Sequence, residues 1–189
     1  MILYVTGGIG VGKSTVLSLL EGFGATVLRA DDIVHDLLND PEVQAQIAQA
    51  IGVANGGDRQ AIAAAVFGDR DRLRRLEGIL HPRVAQRAQA VHDQHPDGSI
   101  LVYEVPLVPS PSDKDRVLLI TAPESVRLSR LVRRGLSEKD ARQRMLAQPS
   151  VADYRRVATH VIENTSDVES LRMALTQVWN EVTRDAGNL

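Results

Sequence analysis

ILYVTGGIGVGKSTVLSLL, residues 2–20, is the stretch whose reading decides the fold. Residues 2–6 are a short apolar run rich in β-branched side chains, which reads as a buried strand. GGIGVGKST, residues 7–15, follows, and residues 16–20 read as the body of a helix. Strand, glycine-rich turn and helix in that order form the context that a phosphate-binding loop requires. Gly7, Gly12, Lys13 and Ser14 meet its pattern G-x-x-x-x-G-K-[ST]. Glycines let successive backbone N–H groups turn inward into an anion-binding nest, and the helix that follows aims its positive end at the same spot. Lys13 adds a mobile full charge for the terminal phosphates, and the Ser14 hydroxyl is suited to Mg²⁺. The implication is a nucleoside triphosphate bound with Mg²⁺.

The remaining bounds come from composition. A chain of 189 residues with 43% apolar residues is the size of one α/β domain with room for an inserted part. The net charge of −2 points to neither a nucleic-acid scaffold nor a polybasic membrane anchor. There is no cysteine, so disulfides, thiol catalysis and cysteine–metal sites are excluded. No apolar run approaches the roughly 20 residues of a membrane span. The phosphate loop begins within a few residues of Met1, leaving no room before it for a signal peptide. The expectation is a soluble cytoplasmic protein.

Beyond the loop, residues 25–28 read as a second buried strand that ends at Arg29-Ala30-Asp31-Asp32. Strand ends in an open α/β sheet face the ligand crevice. Asp31 and Asp32 are therefore either site groups or the N-cap of the next helix. Residues 33–98 carry several amphipathic helices, with Asp40-Pro41 opening one and His81-Pro82 interrupting another. A βαβ connection needs only about 10–12 residues, so this stretch reads as a helical insertion for an acceptor. Residues 99–105 (SILVYEV) and 116–121 (RVLLIT) are the third and fourth strands. A helix ending at Arg133-Arg134-Gly135, another capped by Ser137, a short strand at Val161-Ile162 and a last helix opened by a Ser166–Glu169 capping box complete the chain. The alternation predicts an α/β fold: a parallel sheet of about five strands flanked by helices. The core comprises residues 1–32, 99–132 and 149–189, and residues 133–148 form a lid.

A fold of this kind hydrolyses a triphosphate, transfers its γ-phosphoryl, or only binds it. The small size, the helical insertion and the arginine-dense segment favour transfer. Positioning and charge neutralisation supply most of that catalysis. Lys13 and lid arginines would neutralise the migrating group, and Asp31 is the candidate base for an acceptor hydroxyl. Arg130, Arg133, Arg134, Arg142 and Arg144 read equally well as a solvated helix face. Glu104 ends an apolar strand, where an unpaired carboxylate is costly, and so reads as facing Mg²⁺ or the acceptor.

Six segments, TGGIGVGKST, FGATVLRAD, FGDRDRLRRLEGILHP, VYEVPL, GLSEKDARQRMLAQ and ATHVIENTSD, resemble the dephospho-coenzyme A kinase family, in order and over nearly the whole chain. The resemblance implies transfer of the ATP γ-phosphate to the ribose 3′-hydroxyl of dephospho-coenzyme A, with ATP and Mg²⁺ as cofactors. It assigns the phosphate cradle to Gly8, Gly10, Val11, Gly12, Lys13, Ser14 and Thr15, and the adenine side to Asn164. Asp31 matches the proposed base. His81, Pro82, Glu104 and Pro106 fall in the acceptor region, and Arg144 and Gln148 match the lid. Three positions depart from the pattern: Arg29 replaces an aspartate, PLVPS lacks a glutamate, and Thr159-His160 replaces Ala-Asp. A kinase for another nucleotide-like acceptor, or a nucleotide-binding protein without transfer, therefore stays open. The expected partners are small molecules, with no nucleic acid and no membrane.

Overall fold

The computed structural model of the chain describes residues 1–95, 99–105, 108–165 and 167–187. They divide into two compact units: Met1–Leu28 together with His95–Leu189, and Arg29–Gln94. Among the described residues of the first unit and its border, five strands make one parallel sheet: β1 (Ile2–Thr6), β2 (Thr26–Arg29), β3 (Leu101–Glu104), β4 (Arg116–Thr121) and β5 (His160–Glu163). Their order is β2-β3-β1-β4-β5. The same unit carries α1 (Lys13–Gly22) and, after β4, the helices Glu124–Arg133, Glu138–Leu146, Val151–Arg155 and Val168–Ala186.

Apolar strands take the middle of this sheet because both of its faces are covered. Leu3 and Val5 of β1 and Leu118 and Ile120 of β4 are fully buried, in one cluster with Leu17 and Leu20 of α1 and Leu175 and Val182 of the last helix. Val117 and Leu119 alternate with them and are buried too, so β4 presents no face to water. Each such leucine contributes about 1.5–3 kcal/mol by leaving water. Leu3 pairs with Val102 on one side of β1 and with Arg116 on the other. β1 leads off toward β2 and β3 toward β4, in opposite directions. The carboxyl ends of the adjacent β1 and β3 thus form the switch point at which open sheets bind ligands. Glu104 is in register with Val5 there, two residues before Gly7.

The second unit is helical: α2 (Ala30–Leu37), α3 (Pro41–Ile51), α4 (Arg59–Val66) and α5 (Arg70–Asp93). α5 packs against the other three. Val43, Ile47 and Ile51, spaced by four, are the buried stripe of α3, and Leu76 is buried on α5. Arg75 donates to the carbonyl of Ala50 and Arg83 to Gln46, tying α5 to α3. Asp40, Asp58 and Asp69 cap α3, α4 and α5 through their carboxylates, as short acceptors at a helix start do.

Two expectations need correction here. His81-Pro82 does not interrupt a helix: α5 runs through it for 24 residues, with Pro82 inside. Packing against three helices holds the path, and Arg83 donates its side chain to the Ile79 carbonyl at 2.9 Å beside the lost main-chain bond. Asp31 and Asp32 do not cap α2 either. β2 extends to Arg29, the helix starts at once with Arg29 in the cap position, and both aspartates fall in its first turn. Negative charge there is favoured by the helix dipole. The last helix, α9 in chain order (Val168–Ala186), is capped by Asp167, whose carboxylate accepts from the Ser170 N–H; Ser166 lies outside the described residues. In the same numbering Glu124–Arg133 is α6, Glu138–Leu146 is α7 and Val151–Arg155 is α8. The short α8, opened by a Ser150–Asp153 capping box, has no counterpart in the sequence reading.

Candidate functional site

The turn between β1 and α1 is built so that its amides stay available. Gly12 holds the cap position of α1 at φ 100°, a backbone conformation closed to most residues. A Cβ on Gly12 would collide with the Asn164 amide. The loop's main-chain bonds are few. Val11 N–H reaches Gly8 O at 3.5 Å, while Thr15 and Val16 N–H close back on Gly12 O at 3.1 and 3.3 Å. The N–H groups of Gly10, Gly12 and Ser14 donate to nothing among the described residues. Three unclaimed donors at the positive end of a helix form an anion site. The ammonium of Lys13 lies across the loop, donating to Gly7 O at 2.8 Å.

Side chains distant in sequence hold this turn from outside. Asn164, buried at 7% exposure, donates from Nδ2 to Val11 O at 2.8 Å. Its own N–H is fixed by Thr121 O at 2.7 Å, so β5 delivers it. Arg130 of α6 bridges the two, donating to Val11 O at 3.0 Å and to Asn164 O at 3.0 Å. Gln148, just past α7, accepts from the Ile9 N–H at 2.7 Å. Arg127 of α6 donates from Nε to Ile9 O at 2.8 Å. Burial pushes the Arg127 pKa below its usual value, but an arginine remains charged.

Beside the loop lies a recess of about 350 Å³, lined by Gly12, Thr15, Arg130, Arg133, Asn164 and Leu171 among others. Its wall mixes guanidinium groups with the apolar Val168 and Leu171. A polyphosphate on the amides and a flat heterocycle in the recess would be neighbours.

The residues singled out from the sequence are distributed unevenly. Gly8 to Thr15, Asn164 and Gln148 come together. Arg144 is exposed on α7, and its side chain makes no hydrogen bond or ion pair among the described residues. Arg142, its neighbour, is taken by Glu124 at 2.6 Å and Glu138 at 2.9 Å and holds α7 to α6. Asp31 and His81 are both exposed on the helical unit. Glu104 stands at the end of β3, in register with β1, and Pro106 lies outside the described residues. Arg127 was not anticipated. The available signal was its spacing: Arg127 and Arg130 are three apart and share a face of α6.

No helix among the described residues is long and apolar enough to cross a membrane. The family profile described as dephospho-CoA kinase matches residues 1–170. A dephospho-CoA kinase from Deinococcus radiodurans is 39% identical over 182 residues, covering 89% of this chain and 86% of that protein. One from Thermobifida fusca is 34% identical over 190 residues, covering 95% of each chain. The crystal structure of TT1252 from Thermus thermophilus superimposes with a TM-score of 0.80 at 32% identity, covering 96% of this chain and 97% of that one.

Proposed function

The chain belongs to the dephospho-CoA kinase family, whose members are phosphotransferases acting on a hydroxyl group, and we propose that it phosphorylates the ribose 3′-hydroxyl of dephospho-CoA with ATP, releasing CoA and ADP. The observation that carries the reading is the loop with three unclaimed amides beside Lys13 at the start of α1. ATP lays its phosphates on these amides, and Lys13 exchanges the Gly7 carbonyl for phosphate oxygen. The adenine takes the recess beside Asn164. Asp31 accepts the proton of the 3′-hydroxyl, whose oxygen attacks the γ-phosphorus, while the β–γ bridging oxygen leaves with ADP. Arg144 of the lid, residues 133–148, neutralises the migrating group. His81, Glu104 and Pro106 belong to the acceptor side.

The donor set suits Mg²⁺. Among the described residues no three His, Cys, Asp or Glu side chains cluster as a metal cage. The Ser14 hydroxyl, a hard oxygen, would be the side chain that holds the ion at the loop. When bound, the ion spreads the negative charge of the triphosphate. The cytoplasm is the expected location.

The test is a rate comparison by coupled detection of ADP, with dephospho-CoA, AMP and other nucleosides as acceptors. The reading expects turnover with dephospho-CoA, lost on chelation of Mg²⁺ and restored by its return. Faster turnover with AMP would overturn the acceptor. ATP binding with no ADP from any acceptor would overturn the kinase.

A further inference from the structure

The Ile9 peptide, in the middle of the phosphate loop, is gripped on both sides. Its N–H donates to Gln148 Oε1 at 2.7 Å and its C=O accepts from Arg127 Nε at 2.8 Å. Ile9 makes no other hydrogen bond among the described residues. Gly8 makes this grip possible. A Cβ there would lie 2.7 Å from Arg127 Nη2 and 3.1 Å from Gln148 Oε1, so both side chains occupy the space that a larger residue would fill. Ile9 stands between Gly8 and Gly10, the least restrained residues a chain can offer. The shape of the loop at this point therefore depends on two bonds to side chains 118 and 139 residues away.

A loop that must be ordered when the ligand arrives binds more weakly than one ordered beforehand. We propose that Arg127 and Gln148 are positioning residues for phosphoryl transfer: they fix the Ile9 peptide so that the amides of Gly10, Gly12 and Ser14 converge on the triphosphate before it binds. Gln148 lies just past α7 and its cap Ala147, so the seating of that segment and the order of the loop are linked. The proposal rests on the kinase reading above.

Four variants test it. Arg127→Met keeps the bulk and removes the donor, while Arg127→Gln keeps an N–H donor and removes the charge. Gln148→Leu removes the acceptor, and Gln148→Glu keeps it. Each is assayed for kcat, for KM of ATP and of dephospho-CoA, and for ADP affinity by calorimetry, at a temperature where its melting curve shows it folded. Arg127→Met and Gln148→Leu should raise the KM for ATP and weaken ADP about tenfold, as loss of a charge-assisted or buried bond does. They should lower kcat and leave the KM for dephospho-CoA within about twofold. Arg127→Gln should recover most of the loss. Wild-type ATP and ADP parameters in Arg127→Met and Gln148→Leu would overturn the proposal, as would equal losses in Arg127→Gln and Arg127→Met. If Arg127→Met does not fold, Gln148→Leu against Gln148→Glu decides it by the same ADP measurement. ADP affinity does not involve the acceptor. A wild type that binds ADP but leaves dephospho-CoA untouched would refute the kinase reading while these variants still judge the brace.

Discussion

Replacing Asn164 with alanine removes one bond and leaves its neighbours in place. The main-chain bonds of residue 164, to Thr121 O at 2.7 Å and from Arg130 at 3.0 Å, do not need the side chain. What is lost is the 2.8 Å bond from Nδ2 to Val11 O. A buried carbonyl left bare would cost about 1–3 kcal/mol. Val11 O is not left bare, because Arg130 Nη1 stays at 3.0 Å. Asn164→Ala should therefore cost only about 1 kcal/mol, which in a chain of this size lowers Tm by roughly 2–4 °C. Arg130→Met alone should behave similarly at this carbonyl. The double variant strips both donors from Val11 O and should lose about 1–2 kcal/mol more than the two single losses added together. Urea denaturation of the four proteins measures this coupling, and ATP titration follows the same order, with the double variant weakest. Additivity within about 0.3 kcal/mol would show that Asn164 and Arg130 do not share the loop carbonyl and would refute the reasoning.

Three further outcomes are expected. Lys13→Ala should reduce turnover by about two orders of magnitude while circular dichroism shows the fold intact, since it removes the mobile charge at the transferred group; near-normal turnover in a folded variant would exclude that role. Asp31→Asn should lower kcat far more than it weakens ATP in a binding titration, and equal losses would favour a structural role in the first turn of α2. Hydrogen bonds hold the carboxyl pKa values of two helix caps and one capping-box residue below the ordinary 3.8: from the Arg72 N–H to the cap Asp69, from the Ser170 N–H to the cap Asp167, and from the Ser150 hydroxyl to Asp153 in the first turn of α8. Each contribution is present above that value and disappears as pH falls through the lowered ones. Tm should stay level down to about pH 5 and drop below about pH 4, less steeply in Asp69→Asn; a Tm that rises between pH 5 and 3 would contradict this.

Signals confined to a few adjacent residues were readable in the sequence. The strand, loop and first helix, the burial of the third and fourth strands, and the caps Asp40 and Ser137 all depend on neighbours in the chain, and the structure has them. What escaped depends on distant partners. Pro82 signals a break, yet α5 continues because three helices pack along it. Asp32 has the chemistry of a cap, but β2 passes the chain to α2 at Arg29 and leaves no cap position for it. Arg127 looks like any helix-surface arginine until β4 carries α6 up to the loop, 118 residues away in sequence. The arginines that the sequence leaves between a site role and a solvated face divide: Arg130 holds the loop, Arg142 ties two helices, and Arg133, Arg134 and Arg144 stay exposed.

The central claim concerns which bond is made. Incubation with ATP, Mg²⁺ and dephospho-CoA, followed by chromatography with mass and phosphorus NMR detection, identifies the product and the position of the new phosphate. The account predicts one CoA for each ADP, with the phosphate on the ribose 3′-oxygen. ADP accumulating while dephospho-CoA remains unchanged, or a phosphate on any other hydroxyl, would contradict it.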